Sequence, residues 1–149
     1  MNMPKLNLPY ADLKIKLVDG VSQVFDKVRK KYFVLTLEEW VRQHFLHFLN
    51  QHRKYPLGLM GIEKMVKYNN LRTRADIVIY DREGAPIMLV ECKSPKTKIN
   101  QDVFLQIAKY NFKLKVKYLV VTNGLEHFCC LMDYKENKID FLDYIPSFC

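Results

Sequence analysis

The chain has no arrangement of cysteines typical of a disulfide framework or a zinc site. It contains four cysteines in 149 residues, and none of them forms a C-x-x-C pair. Cys129 and Cys130 are adjacent, so in a strand their side chains would point to opposite faces and could not easily serve one metal ion. No H-E-x-x-H zinc motif is present either. We therefore expect reduced thiols, as in a cytosolic protein.

Long apolar runs and nucleotide-binding loops are also missing. The first ten residues lack the apolar region of a secretion signal. No stretch approaches the roughly 20 apolar residues that a membrane span needs. Because there is no G-x-x-x-x-G-K-[S/T] loop, we expect no ATP site and no ATP-driven motor in this chain. These absences predict a cytoplasmic protein without membrane association.

Acidic residues are too few to balance the basic ones. The formal net charge is +8, and the stretch from Lys93 to Lys117 holds seven lysines and one acid, Asp102. A second basic cluster covers residues 27–31. Such an excess favours a polyanionic partner, although a charge run by itself is equally typical of a solvated face.

The first part of the chain predicts a hairpin. Apolar residues alternate with lysines from Leu13 to Leu17, a turn follows at Asp19-Gly20, and apolar residues resume at Val21. We treat residues 1–25 as a hairpin extension of one domain that covers residues 1–149.

Two helices and six strands are predicted after it. Thr36 is a favourable N-cap for a helix reaching about His52, with Glu39 as its capping-box partner. A second helix is predicted from Gln101 to about Lys113, with Val103, Ile107 and Leu114 on one side. The strands are expected at Ile62–Tyr68, Ala75–Tyr80, Ile87–Cys92, Tyr118–Thr122, Phe128–Met132 and Ile139–Leu142. This order predicts an α/β sandwich with a mixed central sheet flanked by helices.

Three charged residues stand where two of these strands should be neighbours. Asp76 lies on the first strand of a predicted hairpin and Glu91 on the second. Glu91 and Lys93 are two residues apart and share a strand face, whereas Cys92 points to the other face. The apolar run before Glu91 is typical of a covered central strand, where charges need partners or a metal ion.

This combination suits hydrolysis of a phosphodiester. Neighbouring carboxylates repel each other unless a cation lies between them, and oxygen ligands suit Mg²⁺ or Mn²⁺. A protonated lysine can stabilise negative charge on a phosphate or position the attacking water. The alternative is a plain salt bridge at a strand end, from Lys93 to Glu91 or to Asp76.

The spacing also resembles a known nuclease motif. Asp76, fourteen intervening residues and then Glu91-Cys92-Lys93 resemble the signature of PD-(D/E)xK nucleases, whose restriction-endonuclease-like fold is a mixed sheet flanked by helices. From about Phe25 to the C-terminus the chain is similar to the N-terminal nuclease domain of type I restriction R subunits. The segments that carry this similarity are Glu38–Gln43, Arg74–Asp76, Val90–Pro95, Gln106–Asn111 and Val121–Gly124.

The resemblance implies roles for these residues. Asp76 and Glu91 would bind the metal ion, together with the backbone carbonyl of Cys92, and Lys93 would be the catalytic lysine. An acidic residue on the upstream helix often completes such sites. We prefer Glu38, which lies three residues before Val41 on the expected inward stripe, over Glu39, which is turned about 100° away. Alternatively, both acids only favour the positive end of the helix.

Further residues would orient the site or contact nucleic acid. Gln106 and Tyr110 form a Q-x-x-x-Y pattern on one helix face; Tyr110 either contacts nucleic acid or packs into the core. Lysines beside a scissile strand supply sequence-independent affinity. The candidates for phosphate contact are Lys96, Lys98, Lys109 and Arg74. Arg42 and Arg74 could each either neutralise site carboxylates or contact phosphate.

The resemblance therefore implies metal-dependent hydrolysis of DNA by an endonuclease of the restriction type. The alternative is a non-catalytic module on the same fold that binds nucleic acid or joins a complex. DNA is the expected partner, with room for a specificity or translocase subunit. A homodimer is a further option, since cutting both strands usually needs two active sites.

Overall fold

Strands and two long helices alternate along the chain in the order predicted for an α/β sandwich. The computed structural model describes residues 2–149. Its helices are α1 (Leu37–His52) and α2 (Gln101–Phe112), with a short 3-10 turn at Leu57–Leu59. Its strands are β1 (Ile15–Val18), β2 (Val21–Asp26), β3 (Lys31–Val34), β4 (Met60–Tyr68), β5 (Leu71–Tyr80), β6 (Pro86–Cys92), β7 (Tyr118–Thr122), β8 (His127–Asp133) and β9 (Lys138–Leu142). No helix within residues 2–149 is long and apolar enough to cross a membrane.

Six strands form a mixed central sheet in the order β4-β5-β6-β7-β8-β9. Strands β6 and β7 are parallel and α2 connects them, whereas every other neighbouring pair in this sheet is antiparallel. Helices α1 and α2 belong to different apolar clusters: Met88 and Val90 of β6 pack with α1, and Leu89 packs with α2. The mixed sheet covered by helices on both faces confirms the predicted fold class.

Helix α1 begins at the predicted cap, with one difference. The Thr36 hydroxyl accepts a hydrogen bond from the amide of Glu39 at 3.0 Å, as an N-cap does. The expected return bond from Glu39 is absent, because the Thr36 amide donates to the carbonyl of Val34. The Glu39 carboxylate instead bonds Arg29 and Gln43. The capping-box prediction is therefore correct for Thr36 and wrong for the side chain of Glu39.

Helix α2 buries a stripe that agrees only in part with the predicted one: Leu114 is buried and Ile107 packs against the same cluster, but Val103 does not. Its buried residues are Phe104, Ala108 and Asn111, whereas Val103 is 38% exposed. Phe104 is fully buried and lies against Phe128 and Phe141. Burial of an aromatic ring is worth more than burial of a valine, so the helix is rotated to point Phe104 at the sheet.

The N-terminal strands form a three-stranded antiparallel meander, β1-β2-β3. The predicted hairpin is present as β1 and β2, but strand β3, which begins at the end of the basic cluster at residues 27–31, was not predicted. The turn before β3 is set by Asp26, whose carboxylate accepts hydrogen bonds from the amides of Val28 and Arg29, both at 2.8 Å. Gln43 of α1 also donates a hydrogen bond to Asp26. This bond connects the meander to the helix that covers the main sheet.

Candidate active site

The predicted site lies where strands β5 and β6 separate. Their ladder pairs Ile77 with Val90 and goes no further in that direction. Continuing that register would place Asp76 opposite Glu91. The Cys92 amide donates to the carboxylate of Asp76 at 2.7 Å rather than to a backbone carbonyl of β5. The side chain of Asp76 thus occupies the fork between the two strands.

Glu91 and Lys93 share one face of β6, as predicted from their spacing. The Lys93 Nζ lies 3.1 Å from Oε1 of Glu91. Cys92 points to the opposite face, where it is buried in the apolar cluster under α1. Burial raises the pKa of the Cys92 thiol well above its usual value. A thiol kept neutral in an apolar core is a poor ligand or nucleophile, which leaves the backbone of Cys92 as its contribution to a site.

Negative charge accumulates around Asp76. Burial raises the pKa of Asp76, and the charges of Glu91 and Glu38 raise it further. The hydrogen bond from the Cys92 amide and the charge of Arg42 act in the opposite direction but do not outweigh them. Ionised Asp76 is therefore incompletely compensated by the protein.

Lys93 is held as a cation by the same acids. Burial by itself would lower its pKa, but the hydrogen bond and charge of Glu91, followed by the charges of Asp76 and Glu38, raise it. A lysine that stays protonated cannot accept a proton from water. It can stabilise a negatively charged phosphate.

Arg42 of α1 is the residue that connects the surrounding acids. It is 6% exposed, and its guanidinium lies 3.6 Å from Asp76, 3.4 Å from Glu63 and 3.6 Å from Glu39. Its Nε and Nη1 atoms have no hydrogen-bond partner among residues 2–149. Of the two roles left open by the sequence, the structure places Arg42 in contact with carboxylates.

Glu63 is a neighbour of the site that sequence reasoning missed. It lies on edge strand β4 with a φ of 54°, a left-handed conformation that is uncommon for a non-glycine residue. Its carboxylate is directed to Arg42. No sequence signal marks it, because neither its backbone conformation nor its distant partner on α1 follows from a local pattern.

The burial of the two acids at the start of α1 is the reverse of what we expected. Glu39 is buried between Arg29 and Arg42, whereas Glu38 is exposed. The prediction that Glu38 shares the buried stripe of α1 is wrong, because the meander packs against the Glu39 side of the helix. Glu38 nevertheless acts electrostatically on Asp76 and on Lys93, so it lies at the open rim of the same site.

Gln106 and Tyr110 lie on the exposed face of α2. Tyr110 is 66% exposed, so the alternative that it packs into the core is wrong. Gln106 is exposed as well, on the same side of the helix as Val103. Both side chains are accessible to a bound polymer.

The predicted phosphate contacts are spread over three places. Lys96 and Lys98 are exposed on the loop that follows β6 and Lys93. Arg74 is exposed on β5, two residues before Asp76. Lys109 lines a groove with Lys138 at the β8–β9 turn. Since β9 is three strands away from β6 in the sheet order, Lys109 is not brought to the site.

The oxygen donors of the site fit a hard divalent cation. No three His, Cys, Asp or Glu side chains within residues 2–149 are grouped closely enough to hold a metal ion between them. The fork instead combines two carboxylates, Asp76 and Glu91, with the backbone of Cys92. Burial raises the pKa of Asp76 and the charge of Glu91 adds to the rise, and a bound cation would favour the ionised form of both carboxylates.

The fold and this fork define a class of protein. A mixed sheet flanked by helices, with an aspartate on one central strand and Glu-x-Lys on the next, is a restriction-endonuclease-like architecture. The family model of the type I restriction enzyme R protein N terminus (HSDR_N) matches residues 37–146, and the chain belongs to this family.

A solved structure is similar in fold. It is described as a fragment of an HsdR subunit of a type I restriction enzyme from Vibrio vulnificus YJ016, with a TM-score of 0.51 and 20% sequence identity. The match covers 76% of this chain and 24% of that one, so this chain spans about a quarter of the length of its structural relative. No curated protein matches the chain.

Proposed function

We propose that this chain is a metal-dependent nuclease that hydrolyses phosphodiester bonds in DNA. The observation that carries the proposal is the fork between β5 and β6, where Asp76 meets the backbone of Cys92 and the Glu91–Lys93 pair lies beside it. Membership of the family of type I restriction R protein N-termini supports a nuclease of the restriction type.

The metal ion, Mg²⁺ or Mn²⁺, would be held by Asp76, Glu91 and the backbone carbonyl of Cys92, with Glu38 as an additional acid at the rim. When bound, such an ion neutralises phosphate oxygens and lowers the pKa of a coordinated water. Arg42 is a positioning residue for Asp76, since it lies against Oδ1 while the Cys92 amide holds Oδ2.

The chain's own cations would act on the substrate. Lys93, kept protonated, stabilises the charge that develops on the phosphate. Gln106 would orient the site from the exposed face of α2. The contacts to the flanking strand would come from Tyr110, Lys96, Lys98 and Arg74, and Lys109 would add only long-range attraction.

The partners follow from the family and the charge. DNA is the proposed substrate, because a net charge of +8 suits a polyanion. Since the chain spans 24% of the HsdR fragment chain, we further propose that a specificity or translocase protein can supply target choice. A homodimer would place two sites on the two strands of a duplex.

Plasmid cleavage tests the proposal. Supercoiled DNA is incubated at low salt with Mg²⁺ or Mn²⁺ and wild-type protein, Asp76→Asn, Lys93→Gln or the matched control Glu136→Gln, an exposed acid at the β8–β9 turn. We expect nicking by wild type and control, loss of at least 100-fold in both site variants, and none in EDTA.

The same assay separates the second candidate function, a non-catalytic module that binds nucleic acid. Equal binding of DNA by all four proteins with no cleavage by any of them would favour that module. Cleavage by Asp76→Asn at the wild-type rate would place the chemistry elsewhere.

A further inference from the structure

Strands β4 and β5 continue past the fork as a two-stranded ribbon. Strand β6 pairs with β5 only from Ile77 onwards, whereas β4 and β5 remain paired from Lys64 opposite Ala75 to Tyr68 opposite Leu71. The ribbon therefore starts at the edge of the candidate site and ends in the turn at Asn69-Asn70.

One face of this ribbon is buried at its centre and the other is open. Val66 and Ala75 are buried in the apolar cluster under α2. The alternate residues of the open face are exposed, and three of the four are cationic: Met65, Lys67, Arg72 and Arg74. In the part of the chain that the structure describes, none of these three cations forms a salt bridge.

Folding does not explain this distribution of charge. Lys67 and Arg72 are direct cross-strand partners, and like charges in that arrangement destabilise a sheet. Lysines on an edge strand can prevent aggregation, which would account for Lys67 on β4. Arg72 and Arg74 lie on a free edge as well, because β5 pairs with β6 only from Ile77 onwards. Edge protection, however, does not require Lys67 and Arg72 to be direct cross-strand partners.

The ribbon has the dimensions of a groove-binding element. A two-stranded antiparallel ribbon fits the major groove of B-form DNA, whereas the corresponding groove of an RNA duplex is too narrow. Arg72, Arg74 and Asp76 follow one another at two-residue steps of about 7 Å along β5. This step is similar to the separation of successive phosphates on one strand, so cations on the ribbon would hold phosphates beside the one at the fork.

We propose that the ribbon formed by residues 64–75 is a docking arm for duplex DNA, in which Lys67, Arg72 and Arg74 bind phosphates adjacent to the scissile one. The inference rests on the proposed function, because it takes DNA as the substrate. It adds a surface that positions the duplex before any chemistry and independently of base sequence.

Binding without cleavage tests the arm. Fluorescence anisotropy of a short labelled duplex is measured in EDTA, from about 50 to 200 mM salt. Wild type is compared with the triple variant Lys67→Gln, Arg72→Gln, Arg74→Gln. The matched control is Lys113→Gln, Lys117→Gln, Lys135→Gln, which removes three exposed lysines at the opposite end of the sheet. Thermal melts verify that both variants are folded.

The expected result is specific to the ribbon. The ribbon variant should lose affinity on the order of 100-fold at 0.1 M salt, and its log–log salt slope should be shallower by about three, near one per phosphate contact. The control should retain the wild-type slope to within about one. A ribbon variant that binds with wild-type affinity and slope overturns the proposal, even if the wild-type protein cleaves DNA.

Two further outcomes separate the arm from the nuclease. Loss of binding in the ribbon variant while wild type fails to cleave plasmid supports the arm and removes the proposed catalytic function. Equal loss of affinity for duplex RNA would overturn the fit to the B-form groove.

Discussion

Asp26 and Asp76 differ in how well the surrounding residues compensate their carboxylates. Asp26 is 0% exposed and accepts four hydrogen bonds, from the amides of Val28 and Arg29, the Arg29 side chain and Gln43. The side chain of Asp76 is 25% exposed and accepts one hydrogen bond, from Cys92. The more deeply buried carboxylate is the better satisfied.

The pKa values follow this difference. Burial tends to raise the pKa of Asp26, but its hydrogen bonds to Arg29 and Gln43 outweigh burial and lower it. Burial raises the pKa of Asp76, and its neighbours Glu91 and Glu38 add to the rise. A carboxylate that the fold satisfies serves stability, whereas one left under-compensated at a fork is available to an added cation or substrate.

A line of alternating charges joins the two aspartates. It runs through consecutive ion pairs from the meander to the fork, in the order Asp26, Arg29, Glu39, Arg42 and Asp76. The two regions can therefore be perturbed separately at their ends or together at Arg42.

The largest effect is expected at Arg42. Arg42→Met leaves Glu39 and Asp76 without their shared cation, and breaking a buried ion pair in this way costs about 4 kcal/mol. Urea denaturation should show this loss. Arg72→Met, an exposed arginine on the ribbon, should change the free energy of unfolding by less than about 0.5 kcal/mol. An equally small effect at both positions would mean that Arg42 does not stabilise the two regions.

Asp26→Asn should destabilise the protein by about 3 kcal/mol at neutral pH, because Arg29 loses its buried counter-ion. The folded-state pKa of Asp26 is lowered. The stabilisation that its carboxylate gives the folded state is therefore present above the unfolded-state pKa and is lost as the pH falls through the folded-state pKa. The difference in melting temperature between wild type and variant should therefore shrink as the pH is lowered below about 4. A difference that is constant with pH would contradict the lowered pKa.

Asp76→Asn should change the free energy of unfolding in the opposite direction from Asp26→Asn. With a raised folded-state pKa, protonated Asp76 stabilises the fold below its unfolded pKa, and this stabilisation is lost as pH rises through the folded pKa. In EDTA at pH 7 the variant should therefore be more stable than wild type by about 1 kcal/mol, a trade of stability for function. The gain should disappear in acid. Destabilisation at pH 7 would show that Asp76 is a structural carboxylate like Asp26.

The smallest effect on stability is expected at Glu38. Because it is exposed, Glu38→Gln should change the free energy of unfolding by less than about 0.5 kcal/mol, yet it should weaken Mn²⁺ binding measured by calorimetry. Glu39→Gln is the contrast, with a clear loss of stability from its buried pairs with Arg29 and Arg42. Unchanged Mn²⁺ affinity in Glu38→Gln would remove Glu38 from the site.

The parts of this molecule that the sequence predicted are those set by local patterns. The hairpin between β5 and β6 and the i, i+2 spacing of Glu91 and Lys93 follow from strand alternation, and the structure brings these residues together as expected. The N-cap at Thr36 also depends on a contact within one turn of helix.

The predictions were wrong or incomplete where a residue's position depends on segments that are distant in the sequence. Whether Glu38 or Glu39 is buried depends on the meander, whose third strand was not predicted. The rotation of α2 depends on Phe128 and Phe141, which lie on strands that come later in the chain. The sequence left the role of Arg42 open, because its partners Glu63 and Asp76 belong to strands β4 and β5.

The fork also has a kinetic consequence. Asp76, Glu91 and Lys93 come from one hairpin, so closing a short loop is enough to bring their charges together. Arg42, the counter-ion of Asp76, comes from α1, across a much longer stretch of chain. The repulsion between Asp76 and Glu91 should therefore already be present in the folding transition state, whereas the ion pair between Asp76 and Arg42 should form later. If so, Arg42→Met should mainly accelerate unfolding in stopped-flow experiments and leave the refolding rate little changed.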